Sequence, residues 1–300
     1  MSKYTLIKLA IGAWALAQAC APAQAACTTT SNITVAVSPT AANTFSDIVA
    51  DFQAAYSASY TSTCYTVSLV SDSDASIENT IVAAGGNSAY DIMISKSPVV
   101  PVELALKYSS YVAASPFAVA KDPLVLYSVT TDISGGLPSA LSAFSVPDPA
   151  TLDPYGLAAV QAMKGAWLYA VGKKLATKTP DAISSWTQVE YGGLTYGFTG
   201  KSQICTNVTG LSEDYETGSF HHEYVQGVDY FNGIAWTGVK LSRLSGGVAV
   251  RTAGQEAALN AFISFLSATS VPVTNPQNTG ASLQLNAGLT DLAQHCLKNP

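Results

Sequence analysis

The stretch ITVAVSPTAANTFSDIVADF, residues 33–52, changes its structural period at Ser38-Pro39-Thr40. Before that point, residues 33–37 alternate in the manner of a strand. After it, apolar residues recur at the spacing of one helix face: Phe45, Ile48, Val49 and Phe52. Ser38 can cap this helix through its hydroxyl, and Pro39 suits the first helical position, where an N–H would have no partner. The stretch therefore predicts a strand, a tight junction and a helix.

The same order continues through the N-terminal third of the chain. Residues 65–70 predict a second strand, 76–84 a short helix and 91–95 a third, fully buried strand. Residues 98–108 continue as a helix. Strands and helices that alternate in this way require a parallel sheet with right-handed crossovers, so we expect an α/β unit here.

A second unit follows a strand predicted at residues 122–129. The stretch FSVPDPATLDPYGLAAVQAM, residues 144–163, repeats the order of strand, turn and helix, with Asp153 as the helix cap and Pro154 at the first helical position. Residues 181–200 predict a helix, a turn and a strand. Regularity returns with a strand at residues 247–251, and then with a helix whose apolar face carries Leu259, Phe262, Ile263 and Leu266.

Two α/β units with late C-terminal elements predict two lobes, the chain crossing from the first to the second and back. We expect lobe 1 to comprise residues 26–125 and 245–300, and lobe 2 residues 126–244. A chain of roughly 275 residues after loss of its N-terminal segment suits two lobes better than one core.

Residues 1–25 have the features of a cleaved signal peptide. Two lysines precede an apolar stretch at residues 9–17 that is too short to span a bilayer. Ala23-Gln24-Ala25 then supplies a small-x-small cleavage site. A lipid anchor through Cys20 is the weaker interpretation, because Ala17 stands where a leucine is expected. We predict cleavage after Ala25 and a periplasmic or secreted protein.

The charge of the chain argues against nucleic acid as a partner. The whole sequence carries a net charge of −6, which becomes −8 without the two lysines of the signal peptide. A nucleic-acid-binding protein needs a basic face. Charged residues make up 11% of the chain and hydrophobic residues 48%, the composition of a well-packed globular protein. We expect a monomer without a cofactor.

Four cysteines remain after cleavage, and an even number in an exported chain indicates two disulfides with three possible pairings. Cys27 and Cys64 lie just before the first two strands. If those strands are parallel neighbours, both cysteines lie at the same edge of the sheet, which favours Cys27–Cys64 and leaves Cys205–Cys296. A zinc site is not expected, because its ligands would have to come in close pairs.

Four helix starts share polar, cap-forming sequences. Each leaves backbone N–H groups without intrahelical partners, at the positive end of the helix dipole. At the carboxyl ends of parallel strands, such amides can bind a small anion without a fixed positive charge. Two starts fall in each predicted lobe, as a clamshell around an anion requires, although Ser38 can also be a cap only. The four segments are Ser38-Pro39-Thr40, VSDSDAS (70–76), LDPYG (152–156) and PDAIS (180–184).

The order of these segments resembles the periplasmic molybdate-binding proteins of ABC importers. The resemblance runs through ITVAVSPTAANTFSDIVADF, VSDSDASIENTIVAAG, YDIMISKSP, SVPDPATLDPYGLAAVQAM, VEYGGLTYGFTGKS and GGVAVRTAGQEAALNAFISFL. It implies an α/β fold of type 2 periplasmic binding proteins, a two-lobe clamshell in which each lobe is a mostly parallel sheet flanked by helices. It also implies capture of a small oxyanion such as molybdate or tungstate in the interlobe cleft, and delivery to the membrane permease of an ABC importer.

The resemblance also implies a set of ligand-binding residues. The first ligand serine falls on Ser38, and the second falls within residues 73–76, where Asp74 occupies the ligand position. The remaining candidates include two backbone amides, a substitute for the family's final tyrosine, and a lysine that could compensate for the lost hydroxyl. The full set is Ser38, Ser73, Asp74, Ser76, Tyr155, Ala182, Thr199 (or Phe198 or Gly200) and Lys201.

Asp72 and Asp74 depart from the family's pattern of neutral donors. Either carboxylate would repel an oxyanion, unless it is turned to solvent or shares a proton. For this reason binders of sulfate, phosphate or an organic acid remain alternatives, as does a surface adhesin or antigen of the same fold.

An enzyme or a metalloprotein is not expected. The chain has no Gly-x-Ser-x-Gly elbow and no His-Glu-x-x-His, so a secreted hydrolase is the least favoured alternative. GFTGKS (197–202) lacks the first glycine of a phosphate loop, because Thr195 stands there. His221 and His222 are adjacent and would point to opposite faces of a strand, which suits a metal poorly.

Overall fold

Two five-stranded sheets, each covered by helices, form the architecture of the chain. The computed structural model describes residue 27 and residues 29–57, 63–205, 220–267, 271–273 and 283–285. None of the helices in these ranges is long and apolar enough to cross a membrane. The predicted signal peptide lies outside the described residues.

The first sheet is mixed. β1 pairs in parallel with β2 and β3, whereas β10 runs antiparallel between β3 and β4. Val37 of β1 lies opposite both Ser71 and Ile94, so that three parallel strands end level with one another. In spatial order the strands are β2 (Thr63–Ser71), β1 (Thr29–Val37), β3 (Ile92–Ser95), β10 (Ala235–Lys240) and β4 (Phe117–Lys121).

The second sheet is also mixed. β6 pairs in parallel with β7 and β8, and β5 runs antiparallel to β8 and β9. Pro147 lies opposite Thr179, so β6 and β7 end at one edge. In spatial order the strands are β7 (Ala176–Thr179), β6 (Phe144–Pro147), β8 (Gly197–Gly200), β5 (Leu124–Ser128) and β9 (Phe220–Glu223). Two short hairpins complete the strands: β11 (Leu244–Ser245) with β12 (Val248–Ala249), and β13 (Val271–Val273) with β14 (Leu283–Leu285).

Helices cover both faces of each sheet because the strands are apolar on both sides. The predicted apolar faces of α1 and α7 pack with Val35 and Val37, while α2 and α3 pack with Ala36 on the opposite face. In the second sheet, α4 packs against Leu126 and α6 against Val125. The helices are α1 (Ala42–Ser57), α2 (Asp74–Ala83), α3 (Val99–Lys107), α4 (Pro154–Gly165), α5 (Tyr169–Leu175), α6 (Ala182–Glu190) and α7 (Ala253–Ser267), and 3₁₀ turns occupy Pro39–Ala41, Ser109–Tyr111, Pro149–Thr151 and Lys201–Gln203.

The strand that returns to the first sheet differs from the prediction. A strand was expected at residues 247–251, but only the two-residue β12 forms there, and β10 makes the return instead. Both faces of β10 are buried, so its sequence lacks the alternation that marks a half-buried strand. The sheets place the chain's crossings between β4 and β5 and between β9 and β10. The lobe boundaries at 125/126 and 244/245 stay a prediction.

The disulfide Cys27–Cys64 confirms the first predicted pairing. Its Cα atoms lie 5.6 Å apart, at the amino ends of the parallel neighbours β1 and β2. Cys205 is also disulfide-bonded, and Cys296, its predicted partner, lies outside the described residues.

Candidate functional site

A cleft of about 410 Å³ lies where the carboxyl ends of parallel strands from both sheets meet. From the first sheet it is lined by the start of α2 and the segment after β3, and from the second by the ends of β6 and β7. Open α/β sheets bind ligands at this edge. The lining includes Asp74, Lys96, Ser97, Glu103, Leu152 and Pro180.

Asp74, in the cleft lining, is hydrogen-bonded to Ser38, which is buried next to it. The buried Ser38 hydroxyl donates a short hydrogen bond to one carboxylate oxygen of Asp74, and Ser95 donates to the other at 2.6 Å. The Ser38 side chain makes no capping bond to the helix that follows, so its predicted role as a hydroxyl cap is wrong. The level ends of β1 and β3 instead direct both serines toward the first residue of α2.

Lys96 connects the two lobes across the cleft. Its backbone N–H donates to Ser38 Oγ at 2.9 Å, and its ammonium pairs with Asp153 at the start of α4. The Lys96 side chain is only 15% exposed and that of Asp153 is fully buried. The other oxygen of Asp153 accepts hydrogen bonds from the amides of Tyr155 (3.0 Å) and Gly156 (3.1 Å), which confirms Asp153 as a helix cap.

The pKa values of the Asp74 and Asp153 carboxyls are shifted in the same direction. Burial raises the pKa of the Asp74 carboxyl, against the opposing hydrogen bonds from Ser38 and Ser95 and the charge of Lys96. Burial likewise raises the pKa of Asp153, against the ammonium of Lys96 and the two amides. Each carboxyl therefore holds a proton more readily than an exposed aspartate does.

Ser73, Ser76 and Asp72 form a local cap at the exposed end of α2. The Ser76 amide donates to Ser73 Oγ at 3.2 Å, and the Ser76 hydroxyl donates to Asp72 at 2.6 Å. Hydrogen bonds from Ser76 and from the Ser73 amide lower the pKa of Asp72. Of the two aspartates that depart from the family pattern, Asp72 is thus exposed, and Asp74 faces the cleft.

Tyr155 lies at the centre of a buried network where the chain crosses between the sheets. Its hydroxyl donates to Asp122 at 2.6 Å and accepts from the Trp236 indole at 3.0 Å. Asp122 also accepts from the amide (3.0 Å) and hydroxyl (2.5 Å) of Ser202. Burial raises the pKa of Asp122 to about 6, and burial beside Asp122 raises that of Tyr155. A Cβ at Gly200 would lie 2.3 Å from Asp122 Oδ2, so only glycine fits there.

The remaining predicted ligand residues do not converge on the cleft. The Tyr155 amide already has Asp153 as its partner. Thr199 donates its hydroxyl to the carbonyl of Ala182 at 2.8 Å, with both residues buried. Lys201 pairs with Glu223 of β9 at 2.7 Å. Lys201 does not line the cleft, and Lys96 supplies positive charge there.

Sequence analysis missed Ser95 and Lys96. The signal was present, because YDIMISKSP places polar residues directly after a buried strand. Thr40 was part of the opening junction, and its buried hydroxyl has no hydrogen-bond partner among the described residues. The Thr40 carbonyl accepts from Gln203 Nε2 at 3.0 Å, which is a second contact between the lobes.

The two adjacent histidines lie on β9, away from the cleft. His222 Nδ1 lies 2.7 Å from the Ser134 carbonyl oxygen. Within the described ranges, no group of three or more His, Cys, Asp and Glu side chains could hold a metal ion.

Comparisons with known proteins agree with this fold. A family model described as bacterial extracellular solute-binding protein matches residues 33–271. The solved periplasmic molybdate-binding protein of Azotobacter vinelandii is similar, with 15% identity and a TM-score of 0.65, covering 89% of this chain and 99% of that chain. A substrate-binding domain from Clostridium difficile gives 12% identity and a TM-score of 0.61, with 90% and 99% covered. No curated protein matches the sequence significantly.

An iron-binding neighbour has the same architecture. The iron-bound HitA of Pseudomonas aeruginosa is 14% identical, with a TM-score of 0.55, and the match covers 88% of this chain and 84% of that chain. At these identities the similarity shows the fold alone. The fold is that of type 2 periplasmic binding proteins, with two mixed sheets flanked by helices.

Proposed function

The chain belongs to the bacterial extracellular solute-binding protein family, and from this premise we propose that it captures a small oxyanion in the cleft between its lobes. Membership of the family implies a small solute as ligand and an ABC importer as partner. The loaded, closed form would be presented to the membrane permease of that importer, and the protein would act as a monomer.

The observation that carries this proposal is that two protein carboxylates, Asp74 in the cleft lining and the buried Asp153 beside it, occupy the hydrogen-bond donors at this place. Asp74 accepts from the hydroxyls of Ser38 and Ser95, and Asp153 accepts from the Lys96 ammonium and two α4 amides. A carboxylate is itself a small oxyanion. Donors that hold carboxylates with short, charge-assisted hydrogen bonds also suit the oxygens of an incoming anion.

Three further features support capture at this place. Asp74 and Ala75 line the cleft and occupy the first turn of α2, where backbone N–H groups lack intrahelical partners. The volume of about 410 Å³ lies within the range of small-molecule sites. The buried Thr40 hydroxyl, at the same junction as Ser38, has no hydrogen-bond partner among the described residues.

The candidate functions differ in which anion the protein binds, or in whether it binds an anion at all. The sequence resemblance implied molybdate or tungstate, and sulfate, phosphate and organic acids fit the same donors. A surface adhesin or antigen of this fold would need no ligand. A hydrolase is disfavoured, because the Ser38 hydroxyl contacts a carboxylate and a backbone amide rather than an imidazole base. We propose that the protein catalyses no reaction.

A thermal-unfolding screen tests the proposal. The protein is heated with molybdate, tungstate, sulfate, phosphate or small organic acids, with chloride at equal ionic strength as the control. An anion at one hundred times its dissociation constant stabilises a protein by about 2.7 kcal/mol, which raises the Tm of a chain of this size by roughly 5–10 °C. We expect at least one oxyanion to do so. Equal Tm values throughout would contradict anion capture.

A further inference from the structure

Asp74 has acceptor positions that no hydrogen bond from the described part of the chain fills. A carboxylate offers about four acceptor positions, and the hydroxyls of Ser38 and Ser95 fill one on each oxygen. Both donors are neutral hydroxyl groups, so neither brings a positive charge to Asp74. Asp74 also lines the cleft. Its remaining acceptor positions therefore belong to the surface that a solute meets.

The charge of Lys96 acts on Asp74, but the described residues form no ion pair with this carboxylate. Lys96, from the segment after β3, directs its ammonium to Asp153 of the opposite lobe. Glu103 of α3, which also lines the cleft, pairs with Lys107. The α2 residue Glu78 adds a further negative charge that interacts with Asp74. The cleft thus presents a carboxylate with spare acceptor positions beside an ammonium that is already paired with a second carboxylate.

We propose that this cleft selects an oxyanion that still carries an acidic proton, such as hydrogen phosphate or a hydrogen phosphonate. The selection rests on the proposed capture of an oxyanion, and it excludes fully deprotonated anions such as sulfate and molybdate. An O–H group on the anion donates to Asp74, so the hydrogen bond compensates the proximity of two negative groups. A fully deprotonated anion would place one of its oxygens against a carboxylate oxygen of Asp74 with no proton between them, so the two negative groups would repel each other.

This selection follows from the general behaviour of buried polar groups. A site built to pair with a donor discriminates strongly against an analogue that lacks the donor, because the site's own polar group is left unpaired. Unpaired like charges add repulsion against the wrong ligand. At low pH, Asp74 itself can carry the missing proton, since burial raises the pKa of this carboxyl. Sulfate should therefore bind more tightly as the pH falls.

Matched pairs of anions test the proposal by calorimetry on the wild-type protein at pH 7. The pairs are phosphate with sulfate and methylphosphonate with methanesulfonate, which are similar in size and differ in whether a proton is retained. We expect the phosphorus member of each pair to bind at least tenfold more tightly. We also expect sulfate affinity to rise as the pH is lowered from 8 to 6.

The variant Asp74→Asn removes the negative charge and puts an N–H donor in its place. We expect sulfate affinity to increase at least tenfold and the preference for phosphate to disappear. Asp72→Asn is the matched control, because Asp72 is an exposed aspartate at the same helix start. It should keep the wild-type preference.

The outcomes separate the two proposals. Equal affinities within the pairs, a preference for sulfate or molybdate, or a flat pH series would overturn the proton requirement while leaving anion capture intact. If Asp74→Asn does not fold, the wild-type pairs and the pH series still decide the question. Failure of every anion in the thermal screen and in calorimetry would overturn capture itself.

Discussion

Ser38 links two polar groups through one hydroxyl, because it donates to Asp74 and accepts from the amide of Lys96. Ser38→Ala should lower the free energy of unfolding by about 1–3 kcal/mol, since it leaves a buried acceptor and a buried donor unpaired. It should also weaken anion binding roughly tenfold or more, because Asp74 and Lys96 lose their position. Denaturant unfolding and calorimetry measure the two effects.

Ser128→Ala provides the control for this prediction. Ser128 is equally buried, donates to the Thr195 carbonyl at 2.6 Å and accepts from the Thr131 amide at 3.0 Å, at a distance from the cleft lining. It should lose similar stability and keep its affinity. An equal loss of affinity in both variants would reduce Ser38 to a structural residue.

Asp122 should make stability depend on pH. Its pKa is about 6 in the folded protein, against an ordinary value of 3.8. Between these values the folded state binds more protons than the unfolded chain, so the free energy of unfolding falls as the pH rises from 4 to 6. The difference of roughly two pH units corresponds to about 3 kcal/mol. Relative to Asp122→Asn, the wild type should lose up to this amount in urea unfolding between pH 4 and pH 7. Parallel curves would show that Asp122 ionises normally.

The role of a residue could be predicted from the sequence only where its partner lies close to it along the chain. Asp153 was identified as a cap because capping is local. The roles of Ser95 and Lys96 depend on the register of β1 with β3 and on the approach of α4, and local sequence contains neither. Ser38 was placed at the correct junction, but its partner is on another helix.

At the scale of elements, α4 is held at its start by two residues. Asp153 binds Lys96 of the other lobe, and Tyr155 binds Asp122 and Trp236 at the crossing between the sheets. Tyr155→Phe should lower the free energy of unfolding by about 1–3 kcal/mol, because the Trp236 N–H loses its acceptor. It should also weaken anion binding severalfold, since the start of α4 is no longer held. Calorimetry and denaturant unfolding test both effects.

Tyr196→Phe is the matched control for α4. The Tyr196 hydroxyl accepts from the Ser142 amide at 2.8 Å, within the second lobe. Its loss should affect stability and leave binding unchanged. If the two variants weaken binding equally, the network at Tyr155 does not position the site.

Periodicity predicted most of the elements correctly, because helices and half-buried strands carry a regular apolar pattern. The faces of α1 and α7 and the start of α4 are examples. β10 was missed since a strand buried on both faces shows no alternation. Its antiparallel insertion between β3 and β4 also depends on contacts distant in sequence.

At the scale of the whole molecule, the two lobes already contact one another through polar pairs. Lys96 reaches Asp153, and Gln203 reaches Thr40. An anion in the cleft could replace Asp153 as the partner of Lys96. The contact between Lys96 and Asp153 would then give way to one between Lys96 and the solute, while the lobes stay joined around the solute. Capture by closure is the function we expect of this arrangement.

Calorimetric titration of the anion found in the thermal screen into Lys96→Gln tests the central claim most directly. Lys96 supplies the ammonium in the cleft, so its loss removes a charge-assisted bond and should weaken binding tenfold to a hundredfold. Lys201→Gln removes an even more deeply buried ammonium, which pairs with Glu223 outside the cleft lining, and it should bind within about twofold of the wild type. Unchanged affinity in Lys96→Gln, or a loss confined to Lys201→Gln, would contradict anion capture in the interlobe cleft.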